Sequence, residues 1–336
     1  MLGLIVRRLF WIVPVLVTVA VVTFLLMHQA PGGPWDSAKP LPETTRRALD
    51  ATFGLDKPVW FNTEEFQASR ARGEGNPLQL AGALLDSQFF TYLGNAARGD
   101  LGPTYSSQGT ETVQSVLVER IPVSAKLGLV GIISALLFGL PLGIISALRQ
   151  DSWIDHASRA LATTGIAIPN FIIGVLAIIF LSTRFGIKPI RSPEDWDGLS
   201  AAYLIPGIIL GLGLLAYVTR LTRAGMLEIN PQDFIRAARG RGLPETTIVL
   251  RHMLRNALIP VVTILGPAVV DLFVGSFIIE SIFNVPGIGR TFVTAISSRD
   301  YSLIMGITLF YAFLVAMANL VVDLGYGFLD PRLRSH

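Results

Sequence analysis

Apolar and polar residues alternate along this chain in long blocks rather than at the short periods of a soluble fold. Apolar blocks at about 9–27, 123–148, 156–183, 201–221, 257–279 and 303–326 come close to or exceed the ~20 residues that cross a bilayer as a helix. The pattern predicts an all-α polytopic membrane protein with six transmembrane helices. A shorter apolar stretch, Leu78 to Leu85, cannot span. Residues 1–30 form the first predicted helix. Its apolar run is longer than the roughly 7–15 residues of a signal-peptide core, and His28-Gln29-Ala30 is a poor cleavage site, so the span is read as uncleaved.

Charge orients the blocks. Arg7, Arg8, Arg149, Arg220 and Arg223 sit at span ends, and Arg332 and Arg334 follow the last span. By the positive-inside rule both termini are cytoplasmic. Residues 31–120, 184–199 and 284–302 then lie outside, and 149–156 and 224–255 inside. The segment 31–120 is a large external piece between spans 1 and 2, and residues 121–336 carry the other five spans. Pro31 to Arg120 is rich in turn-forming stretches such as PGGPWD and ARGDLGPTY. Within it, residues 62–76 (NTEEFQASRARGEGN) read as a flexible, solvated insert. In the second span, Gly128, Gly131, Gly139 and Gly143 permit close helix approach.

Composition narrows the chemistry. The 336 residues are 51% hydrophobic and 15% charged, against roughly 25% charged in soluble domains. The net charge of +3 is no nucleic-acid footprint. The absence of cysteine excludes disulfides, thiolate metal sites and a cysteine nucleophile. No Walker A pattern, HExxH spacing or GxSxG motif occurs, and the four histidines are scattered. The chain is therefore read as non-catalytic, with no cofactor or metal of its own. Asp271 is the one acid deep within a predicted span. It either lines a pathway or pairs with a neighbouring helix. Glu280 falls at the outer end of the fifth span, where water can reach it, and Asp323 near the inner end of the sixth.

The strongest polar interruption is NPQDFIRAARGRGLPETTIVLRHMLRNALIP, residues 230–260. Asn230 suits an N-cap, Pro231 the first helical position and Asp233 the first turn. Phe234, Ile235 and Ala238 share a helical face. Gly240 and Gly242 then weaken the helix, and Pro244 stops it before a second helix from Glu245 towards Arg255. The pattern predicts a short helix, a glycine bend and another helix between spans 4 and 5.

This loop resembles the cytoplasmic loop of ABC importer permeases, whose usual pattern is Glu-Ala-Ala, three residues, then Gly. Here it reads Arg236-Ala237-Ala238, then Gly242, with Arg in place of Glu, so an ion pair made by that Glu does not carry over. FGLDKP, GDLG, ERIPVSAKLG, RAARGRG, RNALIP, IFNVPGIG and the final DPR appear in order and resemble the dipeptide/oligopeptide branch. The resemblance covers nearly the whole chain except the stretch near 62–76. It implies one half of a transmembrane pathway for di- or oligopeptides in the inner membrane of a prokaryote. Its implied partners are a second, homologous permease forming a heterodimer, two ATPase subunits holding ATP and Mg, and an external solute-binding protein. Residues 230–244 would dock on the ATPase through Phe234, Ile235, Arg236, Ala237, Ala238, Arg239, Gly242 and Leu243. Arg236, Arg239 and Arg241 would ring the apolar contact. Asp271, Glu280, Asn284, Pro286 and Gly287 are pathway or gate candidates. Nickel chelates or glutathione are alternative cargoes within the family. A stand-alone channel or ion-coupled carrier is the rival class. It would favour more intramembrane charge and an inverted repeat.

The cysteine-free chain makes topology directly measurable. Single cysteines at 31–120, 184–199 and 284–302 are expected to label from outside with an impermeant thiol reagent, and those at 149–156 and 224–255 only after permeabilisation. External labelling at residue 240 would overturn this topology.

Overall fold

The computed structural model describes residues 2–36, 42–73, 76–198 and 200–329, and every regular element among them is helical. α1 (Leu2–Gln29) is followed by four short helices, α2 (Glu43–Phe53), α3 (Thr63–Ala71), α4 (Pro77–Leu84) and α5 (Gln88–Ala97). Then come α6 (Val113–Leu148), α7 (Trp153–Ala167), α8 (Asn170–Phe185) and α9 (Leu204–Ile229). The predicted loop region forms α10 (Asp233–Gly240), α11 (Glu245–Thr247), a π turn (Ile248–Met253) and α12 (Leu254–Ala257). α13 (Ile259–Phe283), α14 (Ile288–Ser298) and α15 (Tyr301–Leu329) complete the chain. Among the described residues, four helices are long and apolar enough to cross a membrane: Ile5–Gln29, Val113–Leu148, Ala201–Ile229 and Tyr301–Val321. Two bent pairs raise the number to six if each pair is one span.

The first bend breaks the third span read from hydropathy, and the second falls at the start of the fifth. α7 and α8 meet at 104°. Ile168, which precedes Pro169, is extended with φ −92° and ψ 122°. The proline ring disfavours α conformation in its predecessor and removes an N–H from the ladder. The run Glu245–Ala257 meets the following helix at 53°. The polar stretch read as a flexible, solvated insert is largely helical instead. α3 occupies most of 62–76: the Asn62 side chain accepts from Glu65 N at 3.0 Å, and Glu64, Glu65 and Arg70 oppose the helix dipole. After the turn at 284–287 the chain continues as α14.

The chain forms two compact units, one of residues 120–290 with the end segments 1–6 and 314–336, the other of 7–119 with 291–313. The second unit is held by a run of rings. Trp60 meets Phe89 and Phe89 meets Phe24 (5.1 and 5.2 Å between centroids); Phe24 meets His28, and His28 meets Tyr301 (4.1 and 5.2 Å). Tyr301 continues to Tyr105, which also contacts Phe53. Buried Asp300 accepts from Ser106 N and Oγ at 2.8 and 2.7 Å, pinning the start of α15 to the 100–112 loop. Burial pushes the Tyr105 phenol up to about 12.

In the first unit α6 and α9 cross backbone to backbone. A Cβ on Gly211 would lie 2.3 Å from the Gly131 carbonyl oxygen, and one on Gly143 2.7 Å from that of Thr219. Thr219 Oγ1 donates to the Gly139 carbonyl at 3.3 Å. This is the close approach that small residues allow between apolar helices. At the Leu148 end of α6, Asp155 is fully buried. Its carboxylate accepts from Arg223 Nε and Nη2 at 2.6 and 2.7 Å, from Ser146 Oγ at 2.5 Å and from Asp151 N at 3.0 Å. One carboxylate thus ties α6, α7 and α9 together.

Gly211→Ala is expected to lower the thermal midpoint of the purified chain in detergent. Overpacking typically destabilises by about 1–3 kcal/mol. Gly128→Ala, where nothing lies within 4 Å of the added Cβ, serves as the tolerated control. Asp155→Ala strands the Arg223 guanidinium and is expected to destabilise by about 3 kcal/mol. Equal melting of all three variants and the parent would refute both packing arguments.

Candidate functional site

The loop after α9 is built on its own small core. Met226 and Ile229 at the end of α9, Ile235 and Ala238 on α10, Ile248, Val249 and Met253 in the π turn and Ala257 pack as one cluster, with Ala147 of α6 beside them. Ile235 is 0% exposed. The apolar face read from periodicity therefore divides. Ile235 and Ala238 turn inward to the chain's own span ends, which corrects their expected place on an outward docking face. Phe234, 42% exposed, and Leu243, 38% exposed, stay on the surface with Ala237.

Asn230 does not cap α10. It closes α9, while Gln232 precedes α10 with ψ 150°. The Asn230 side chain instead accepts from Arg239 Nη2 at 2.9 Å. Arg239 also donates to Glu245 through Nη2 and Nε at 2.7 and 3.3 Å, and this carboxylate raises the Arg239 pKa above its ordinary value. The bond joins both sides of the glycine bend. Arg241 ends α10, and Gly242 follows at φ +74°, a left-handed conformation that favours glycine. Arg236, in the family's Glu position, turns back to Asp233. Sequence reasoning did not single out Glu245 as the partner of Arg239. Their separation of six residues crosses a bend, so no helical spacing signalled it.

Around the end of α13, three of the gate candidates meet. Glu280 is fully buried, which corrects its expected exposure to water. Its carboxylate accepts from Ser124 Oγ at 2.7 Å, from Arg290 N at 3.0 Å, and from Ser276 and Gly289 N. Ser124 Oγ also accepts from Ile288 N at 2.9 Å. A Cβ on Gly287 would lie 2.4 Å from Ser124 Oγ and 2.5 Å from Glu280 Oε2. The Pro286 carbonyl accepts from Arg120 Nη1 at 3.4 Å. Asn284 ends α13 in the left-handed conformation at φ +60°. Glu280, Pro286 and Gly287 thus form one hydrogen-bonded turn, with Asn284 as its entry. Asp271 sits on α13 and Asp323 on α15, but their side chains lie outside the described residues. So does the DPR tail. Among the described residues no group of three His, Cys, Asp or Glu side chains could hold a metal ion.

Comparison with known proteins agrees with this architecture. Residues 139–335 match the family described as "Binding-protein-dependent transport system inner membrane component". The chain is 35% identical to the dipeptide transport system permease protein DppB of Bacillus subtilis over 331 residues, covering 98% of this chain and 97% of that one. It is 33% identical to the oligopeptide transport system permease protein OppB of Escherichia coli K12, covering 99% and 100%. The glutathione transport system permease protein GsiC of E. coli O6:H1 is 32% identical, covering 99% of each chain. The solved MetNI methionine ABC transporter in inward-facing form shares the fold with a TM-score of 0.50 at 22% identity, covering 62% of this chain and 94% of that one. The chain belongs to the binding-protein-dependent transport system inner membrane components, in the dipeptide/oligopeptide branch of the ABC permeases.

Proposed function

We propose that this chain is one transmembrane half of an ATP-driven peptide importer and that residues 230–244 couple it to an ATPase. The observation that carries the coupling reading is the two-sidedness of α10. Its inner face, Ile235 and Ala238, is packed into the ends of α6, α9 and the π turn. Its outer face and the bend after it leave Phe234 and Leu243 uncovered, with Arg236, Arg239 and Arg241 in the same segment. A helix moves other helices only if it is held at both sides. The inner core and the Arg239–Glu245–Asn230 cluster hold it from within. The outer apolar pair, with guanidinium groups in the same segment, fits a groove with acidic or carbonyl edges. Nucleotide chemistry belongs to that partner, so two ATPase subunits, a second permease and an external binding protein complete the assembly. Each step shifts an equilibrium between pathway states through differential contacts.

Peptide cargo rests on the dipeptide and oligopeptide relatives. Glutathione is the second reading because a glutathione permease is nearly as similar. The ligand that co-purifies with the cognate binding protein separates them. Peptides without a γ-glutamyl linkage support the first reading, and glutathione alone supports the second.

The two faces of α10 predict two phenotypes. Phe234→Ala is expected to leave the chain folded and inserted while weakening ATPase retention. Removing the exposed part of an aromatic side chain forfeits at most about 2 kcal/mol of burial, roughly thirtyfold in affinity. Ile235→Ala is expected to act on the chain itself, lowering its thermal midpoint through a buried cavity that destabilises by about 2–5 kcal/mol. Full ATPase stoichiometry and full transport with Phe234→Ala and Gly242→Asp combined would overturn the coupling reading. ATP hydrolysis by the purified chain alone would do the same for its non-catalytic role.

A further inference from the structure

A cavity of about 600 Å³ opens between α8, α9 and α13, midway along the apolar length of α9. Asn170, Leu214, Tyr217, Thr263, Pro267 and Leu272 form most of its wall. Its place is not arbitrary. Asn170 is the first residue after the 104° break between α7 and α8. The last carbonyls of one helix and the first N–H groups of the next lack intrahelical partners. At membrane depth such backbone is tolerated only inside protein or along a water-filled cavity. The broken end of α7 lies against the same part of α9: a Cβ on Gly165 would sit 3.4 Å from Ala216 Cβ.

The described residues of the wall are uncharged but able to hydrogen-bond. Asn170 Nδ2 donates to the Leu210 carbonyl at 3.2 Å, and the Asn170 Oδ1 has no partner among the described residues. Thr263 Oγ1 donates to the Ile259 carbonyl at 2.9 Å and keeps lone pairs for a further donor. Tyr217 is 41% exposed, and its phenol both donates and accepts. The Arg220 guanidinium lies over the Tyr217 ring at 4.6 Å and braces it. A lipid chain in this groove would leave the Asn170 Oδ1 and the Tyr217 phenol unsatisfied. A peptide main chain offers one N–H and one C=O per residue, the complementary set. Neutral donors and acceptors bind that main chain whatever the charge of its side chains.

We propose that the groove lined by Asn170, Tyr217 and Thr263 is the peptide-contacting wall contributed by this chain, holding the cargo's main chain by side-chain hydrogen bonds next to the α7–α8 break. This rests on the peptide-importer reading above. None of these three residues stood among the pathway candidates read from the sequence, which were acids and the IFNVPG turn.

The test uses the full chain, naturally free of cysteine, co-assembled with its partner subunits in proteoliposomes. Asn170→Cys, Tyr217→Cys and Thr263→Cys are treated with a charged, impermeant methanethiosulfonate. Leu176→Cys, on the same α8 and 59% exposed but away from the groove, is the control. The three groove cysteines are expected to react faster than the control and to be slowed by saturating alanine dipeptide. Thr263→Val, nearly isosteric, is expected to raise KM for that dipeptide by about tenfold, the effect of one hydrogen bond, with ATPase retention unchanged. Reaction no faster than at Leu176→Cys, peptide-independent cross-linking of these cysteines to a partner permease helix, or an unchanged KM for Thr263→Val would overturn the assignment. A parent complex that imports no peptide would overturn the importer reading and this proposal with it. A parent that imports peptide while the groove cysteines stay silent removes the groove alone.

Discussion

A backbone placed among apolar surroundings has to find its hydrogen-bond partners within the protein, because no water is there to supply them. Everything else in this chain follows from how that constraint is met. Along α6, α9 and α15 it is met by unbroken helix. At the α7–α8 break it is not, and the polar side chain of Asn170 reaches across to a carbonyl of α9. At the end of α13, left-handed Asn284 and the turn after it put several N–H groups towards Glu280 and Ser124 instead of towards solvent. Breaks in the helices are thus the places where side-chain chemistry is concentrated.

Helix packing obeys a second requirement. Between apolar helices in lipid there is little hydrophobic gain from association, so close contact and polar ties do the holding. The crossing of Gly131 with Gly207 and Gly211 brings two backbones within van der Waals reach. The buried Asp155–Arg223 pair, with Ser146 and Asp151 completing the carboxylate's shell, fixes the neighbouring helix ends. Arg223 lies ten residues before α10 on a continuous run of helix and turn. The surface proposed to meet the ATPase is therefore anchored by a rigid base.

Much of this was legible in the sequence for a simple reason. Twenty apolar residues in a row admit few structures. What was not legible depended on partners distant in the chain. Asn230-Pro231 is as good a turn as it is a helix start, and only the position of Arg239 decides how the amide is used. The i, i+3 relation of Ile235 and Ala238 was plain, but the side of α10 that faces α9 is set by the path through Pro231 and Gln232. Glu280 looked interfacial because Ser124, which encloses it, is 156 positions away. Asn170 and Thr263 carried no signal at all, since single neutral polar residues within apolar runs read as packing. The helix at 63–71 could have been found from Asn62 and the acids after it, had the polar composition not pointed to a solvated loop.

The π turn at 248–253 has a geometric effect of its own. A π turn carries one residue more than an α-helix of the same path, and each α-helical residue turns the helix by about 100°. The inserted residue therefore resets the azimuth of the side chains that follow it in the same run, Leu254 to Ala257, before the 53° bend into α13. Ile248, Val249 and Met253 fall in the buried cluster under α10, and the same short segment turns Ala257 of α12 into that cluster. It works as a phase adjuster between the loop core and α12, a rotational setting in the chain rather than a contact.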